Sequence, residues 1–84
     1  MNLHVLDETL RRLGIPTTLV SLGSGVDSAW CVVPADSGSW EVYWLSQGTT
    51  YSHVVLDDEP TACYCLLGKL VYDQVLAGEF ELPG

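Results

Sequence analysis

The spacing of apolar positions changes twice along the chain, dividing it into a helix, a run of strands and a second helix. Leu3, Leu6, Leu10 and Leu13 recur at intervals of three and four, one stripe of a helix, with Asp7, Glu8, Arg11 and Arg12 on the solvated side. Asp7 and Arg11 stand one turn apart and can pair weakly. Gly14 suits the C-terminal cap, and Pro16 prevents continuation.

From there the period drops to two. Residues 17–22 are rich in β-branched side chains and predict a first strand, and Gly23-Ser24-Gly25 predicts a turn. Residues 28–33 predict a second strand, with Ala29, Cys31 and Val33 on one side and Trp30 and Val32 on the other, ended by Pro34. Residues 35–39 are turn formers and read as a hairpin loop. The next strand is the most sharply patterned segment. Trp40, Val42 and Trp44 point one way, while Glu41, Tyr43 and Leu45 point the other, until Gly48 stops the run. The tryptophan side is fully apolar and is expected to meet the core; the tyrosine side is mixed. After the link 47–50, residues 51–56 form a fourth strand, and short links between consecutive strands predict an antiparallel meander.

Asp57-Asp58-Glu59-Pro60 is a helix-start signature, since proline fits the first turn and carboxylates favour the positive end of the helix dipole. Over 61–76, Ala62, Cys63, Leu66, Leu67, Leu70 and Val71 form a wide apolar stripe with Val75 at its far end. Gly68 interrupts it at about 1 kcal/mol relative to alanine, and is expected to let the helix pack closely on the sheet. Gly78 fits the stop, and the tail 79–84 is pinned if Phe80 and Leu82 reach the core. The expected fold is α+β: a two-layer sandwich of a four-stranded antiparallel meander with an N-terminal and a C-terminal helix on one face, a single domain over 1–84.

Length sharpens this picture. A chain of 84 residues buries roughly 60–65% of its unfolded surface, enough for one thin core and little room for a substrate cavity. Eleven acidic residues against three basic ones give a net charge of −8. Phosphate contact needs Lys and Arg, so nucleic acid and anionic membrane surfaces are poor partners, whereas a basic protein would be attracted at long range. The start Met1-Asn2-Leu3-His4 lacks a basic region before an apolar run, which predicts no signal peptide, and no stretch reaches the roughly 20 apolar residues of a membrane helix. The expected location is cytoplasmic, with Cys31, Cys63 and Cys65 reduced.

Candidate chemistry is thin. Cys63 and Cys65 are two apart on a helix and diverge, so they make no zinc half-site. His53 lies mid-strand, and no spacing joins it to an activated, accessible thiolate. The Asp57-Asp58-Glu59 run lacks the spaced ligands and glycine of a calcium loop, and Gly23-Ser24-Gly25 is followed by neither lysine nor helix, unlike a phosphate loop. No catalytic residue, metal or cofactor is expected. Three tryptophans and four tyrosines do stand out, because these side chains are enriched at interface hot spots. The mixed face and its adjoining loops are the expected contact surface: Asp36, Glu41, Tyr43, Gln47, Tyr51 and His53.

The segment Trp40-Glu41-Val42-Tyr43-Trp44-Leu45-Ser46-Gln47-Gly48, taken with Asp58-Glu59-Pro60-Thr61-Ala62-Cys63, resembles a pattern of small bacterial immunity proteins. That pattern has a Trp-x-Val-Tyr-Tyr strand, an Arg-Gly turn and an acidic helix start leading to Ala-Cys and a leucine-rich helix. The likeness spans 40–76 and is to immunity proteins of NAD-cleaving toxins of the tuberculosis-necrotizing-toxin type, delivered by type VI secretion. Gln47 departs from it, standing where the pattern has arginine. The resemblance implies a protein that binds its cognate secreted toxin, an NAD(P)-glycohydrolase, and blocks the active site without a catalytic group of its own. An inhibitor of a nuclease toxin, with its acidic surface mimicking phosphate, is the alternative. A small-molecule module is disfavoured by the bulky tryptophans and thin core.

Overall fold

Asn2 and Gly14 set the limits of the first helix, α1 (Leu3–Leu13). The Asn2 side-chain oxygen accepts the Val5 N–H at 2.9 Å. The amides of Gly14 and Ile15 turn back to the carbonyls of Arg11 and Leu10, the paired bonds of a Schellman cap, which uses the left-handed backbone of Gly14 (φ 74°). This cap carries Ile15 into the core beside Leu6 and Leu10. Leu13, expected on the buried stripe, is exposed, because Ile15 fills the core at that end of the helix. The computed structural model describes residues 1–78; the expected packing of Phe80 and Leu82 lies outside the described residues.

Four strands follow in the spatial order β1-β2-β3-β4: β1 (Val20–Leu22), β2 (Ala29–Pro34), β3 (Trp40–Ser46) and β4 (Thr49–Leu56). The α+β class, the helix positions and the strand order are as the sequence predicts, with two differences at the first strand. Thr17–Leu19 form a 3-10 helix instead of strand, closed by the Leu19 N–H on the Pro16 carbonyl. β1 also pairs parallel to β2, Val20 opposite Trp30 and Leu22 opposite Val32, so the sheet is mixed. The reason lies in residues 23–28, which do not reverse as a tight hairpin. They arch back across the sheet face away from the helices, where the Val26 N–H points at the Cys31 sulfur, 3.4 Å away. The arch seals Ala29 and Cys31 from solvent.

β2–β3 and β3–β4 are antiparallel, with Val32 opposite Val42 and Val42 opposite Val54. The β3–β4 link is a two-residue turn in which Gln47 (φ 51°) and Gly48 (φ 79°) are both left-handed, the geometry whose twist suits a hairpin. α2 (Glu59–Leu76) starts on Asp58, whose carboxylate accepts the Thr61 N–H at 2.8 Å. Its residues Ala62, Cys63, Leu66 and Leu70 press on Val32 and Val42, and Leu6, Leu10 and Ile15 complete the same cluster. Both helices therefore cover the tryptophan side of β3. The Glu59 carboxylate accepts the Leu3 N–H at 2.9 Å, so the first residue of α2 satisfies the first turn of α1.

Trp30 fastens the other end of α2 to the sheet. Its indole N–H donates to Asp73 at 3.1 Å, the Lys69 ammonium sits 5.4 Å from its ring centroid, and Trp44 meets it edge-on at 5.9 Å. Gly68, expected to bring α2 close to the sheet, lies instead on the exposed side of α2 with open space around it. No helix among the described residues is long and apolar enough to cross a membrane.

Two stability predictions follow from this packing. Leu66→Ala, which empties the centre of the shared cluster, is expected to lower unfolding free energy by about 2–5 kcal/mol in urea denaturation. The Thr61 amide bond holds the Asp58 carboxyl below the usual carboxylate range. A lowered folded pKa stabilises above the unfolded value of about 3.9 and loses that stabilisation as pH falls through the folded value. Asp58→Ala is therefore expected to unfold at a lower urea midpoint than the parent at pH 7, with the two midpoints converging as pH falls through the folded value.

Candidate docking face

The sheet face opposite the helices is where β3 turns Glu41, Tyr43 and Leu45. An irregularity in the β3–β4 register between Val42 and Trp44 decides which β4 side chains join them. Ser52 takes a left-handed backbone (φ 54°) there and adds a residue to β4, a bulge that flips the alternation. His53 consequently comes up beside Tyr43, the ring centroids 5.9 Å apart. It also reaches Glu41, with 2.6 Å between Nε2 and Oε1. An ionised carboxylate only accepts, so His53 Nε2 carries the proton in this bond. Val33 and Val55 flank Glu41 on the neighbouring strands, and Val55 is 60% exposed.

Of the six expected contact residues, the structure brings three together: Glu41, Tyr43 and His53. Asp36 lies in the 3-10 turn Asp36–Gly38 of the β2–β3 hairpin, and Gln47 in the turn at the far end of β3. Tyr51 is half exposed, but it pairs with Trp44 and so belongs to the opposite face. An unbroken strand would have set Tyr51 and His53 on one side; the bulge separates them.

The 23–28 arch borders this patch and had no signal beyond its turn-forming residues. Tyr43 lies against it. A Cβ built on Gly25 would stand 2.9 Å from the Tyr43 hydroxyl and 3.8 Å from Leu45, so this glycine is needed for space. Asp27 accepts the Gly48 N–H at 3.4 Å, linking the arch to the β3–β4 turn. Burial first, then the neighbouring Cys31 and Glu41, push the Tyr43 phenol above its ordinary pKa; a phenol is a hydrogen-bond donor at neutral pH even without that shift. Elsewhere burial pushes the Cys63 thiol up, with Glu59 adding to the effect, so this cysteine is a packing residue in the core. Among the described residues, no cavity and no cluster of three or more His, Cys, Asp or Glu able to hold a metal is present.

The open face thus offers an aromatic donor, a braced acidic–imidazole pair and apolar flanks on a rigid sheet, the ingredients of a protein contact. No protein-family model, curated protein or solved structure matches the chain.

The close approach of the arch is directly testable. Gly25→Ala is expected to destabilise by about 1–3 kcal/mol through overpacking. Tyr43→Phe in the same chain should recover most of that loss, because it removes the atom that is struck. A double-mutant cycle by chemical denaturation measures this, and strict additivity would contradict the contact.

Proposed function

We propose that this chain is an immunity protein, acting in the cytoplasm, that binds a cognate secreted toxin and blocks its active site, the toxin being an NAD(P)-glycohydrolase. The reading rests on the resemblance of residues 40–76 to such proteins, and one observation of the fold supports it. Among the described residues the sheet leaves one face free of helices, and on that face Tyr43 and the Glu41–His53 pair stand together beside the exposed side chain of Val55. A net charge of −8 steers such a face toward a basic cleft. Blocking requires shape, charge and an aromatic anchor, and no reacting group of the inhibitor's own. In this reading Glu41 meets a cationic group at the toxin's nucleotide-binding cleft and Tyr43 fills its apolar wall, while His53 holds the Glu41 carboxylate in place.

The test pairs the chain with the secreted toxin encoded beside it. Tyr43→Ala combined with Glu41→Lys is expected to keep the parent's circular dichroism and to weaken toxin binding at least tenfold in calorimetry, a loss of about 1.4 kcal/mol or more. Unchanged affinity would remove this face from the interface. Protection of NAD from the toxin supports the glycohydrolase assignment; protection of RNA or DNA instead makes the chain a nuclease inhibitor.

A further inference from the structure

α2 is apolar on both sides. Its inner stripe is the core already described. Its outer side carries Tyr64, Gly68, Tyr72 and Leu76, spaced four apart, with Tyr64 59%, Tyr72 62% and Leu76 69% exposed. Among the described residues the nearby charges leave this stripe alone, since Lys69 and Asp73 are both engaged by Trp30 at the flank. On a chain of net charge −8, the uncharged ridge is an exception. Gly68 is harder still to explain within one molecule. Its φ is not positive, nothing lies within 4 Å of the Cβ it lacks, and a mid-helix glycine weakens the helix. A glycine with no internal reason, at the centre of an exposed apolar stripe, is what a close helix crossing from outside requires.

The spacing indicates which helix crosses there. Tyr64 and Tyr72 are equidistant from Gly68, so a two-fold axis through Gly68 with the helices antiparallel sets Tyr64 of each copy against Tyr72 of the other. The stripe is thus complementary to itself, the condition for an isologous contact. We propose that the outer face of α2 is a homodimer interface, two copies crossing at Gly68 with reciprocal Tyr64–Tyr72 stacking. Tyrosines exposing three-fifths of a side chain that buries 150–250 Å², together with Leu76, supply at most roughly 400 Å² per copy. The total falls below the about 1,200 Å² of a standard interface, so the dimer is weak and reversible. The stripe faces away from the sheet, which leaves the Tyr43 face open in both copies and makes this inference independent of the toxin reading.

Sedimentation of the full chain between about 1 and 500 μM is expected to show a reversible monomer–dimer equilibrium, since interfaces below standard size belong to weak, transient encounters. Tyr72→Lys alone and Tyr64→Glu alone should each weaken association at least tenfold with the far-UV spectrum unchanged. The two together should restore it, because the antiparallel crossing places the new opposite charges face to face across the dimer, whereas eight residues apart on one helix they cannot meet. Gly68→Ala should raise the melting temperature of the dilute monomer yet weaken dimerisation. A chain that stays monomeric over the whole range, or a Gly68→Ala chain that associates as well as the parent, overturns the proposal. Loss in both single variants without recovery in the double overturns the antiparallel arrangement.

Discussion

A chain this short has apolar material for one layer boundary, and the placement of that boundary governs the rest. Ala62, Cys63, Leu66 and Leu70 of α2 meet Val32 and Val42 of the sheet, and Leu6, Leu10 and Ile15 close the cluster from the side. Among the described residues nothing of comparable size remains to cover the sheet's second face. That face is managed with local devices: the 23–28 arch over Ala29 and Cys31, small or polar side chains such as Ser21, and the Glu41–His53 bond. The part left open is the part that the arch borders without covering, with Tyr43 lying against its edge. The availability of Tyr43, Glu41 and Val55 to a partner is therefore a by-product of core size, sharpened by which residues occupy the uncovered positions.

Much of this was legible in the sequence where the signal was local. Gly14 and Pro16 bounded α1, Asp58 and Pro60 announced α2, and the alternation from Trp40 to Leu45 gave both faces of β3. What could not be read depended on distant contacts. The direction of β1 follows from where residues 23–28 find apolar cover, and turn-forming residues alone suit a hairpin as well as an arch. Leu13 lost its place to Ile15 because the Schellman cap bends the chain inward just past the helix. The bulge at Ser52 left no trace, since a serine in a left-handed conformation has no compositional mark, yet it moves Tyr51 and His53 to opposite faces. The expected site was thus half assembled: the β3 residues were placed by periodicity and His53 by a backbone irregularity, while the loop residues Asp36 and Gln47 sit at opposite ends of a seven-residue strand.

The two surfaces discussed differ in how they are held. The Tyr43 face is braced from several directions, by the arch through Gly25, by Asp27 on the β3–β4 turn and by the Glu41–His53 bond. Such preorganisation reduces the ordering that binding would otherwise require. Among the described residues the outer side of α2 has no comparable bracing of its side chains, and its tyrosines are exposed on a helix secured from beneath by Leu66, Leu70 and Trp30.

The Leu3–Glu59 bond and the burial of Leu6 and Leu10 against the last element bear on how the protein is made. Synthesis proceeds from the N-terminus, so α1 and all four strands emerge before the residues that cover them. Until residues 62–70 of α2 have been made, the tryptophans of β2 and β3 and the leucines of α1 have no lid. The nascent polypeptide is at its most adhesive in that interval, and its apolar surfaces find shelter only once α2 has been added.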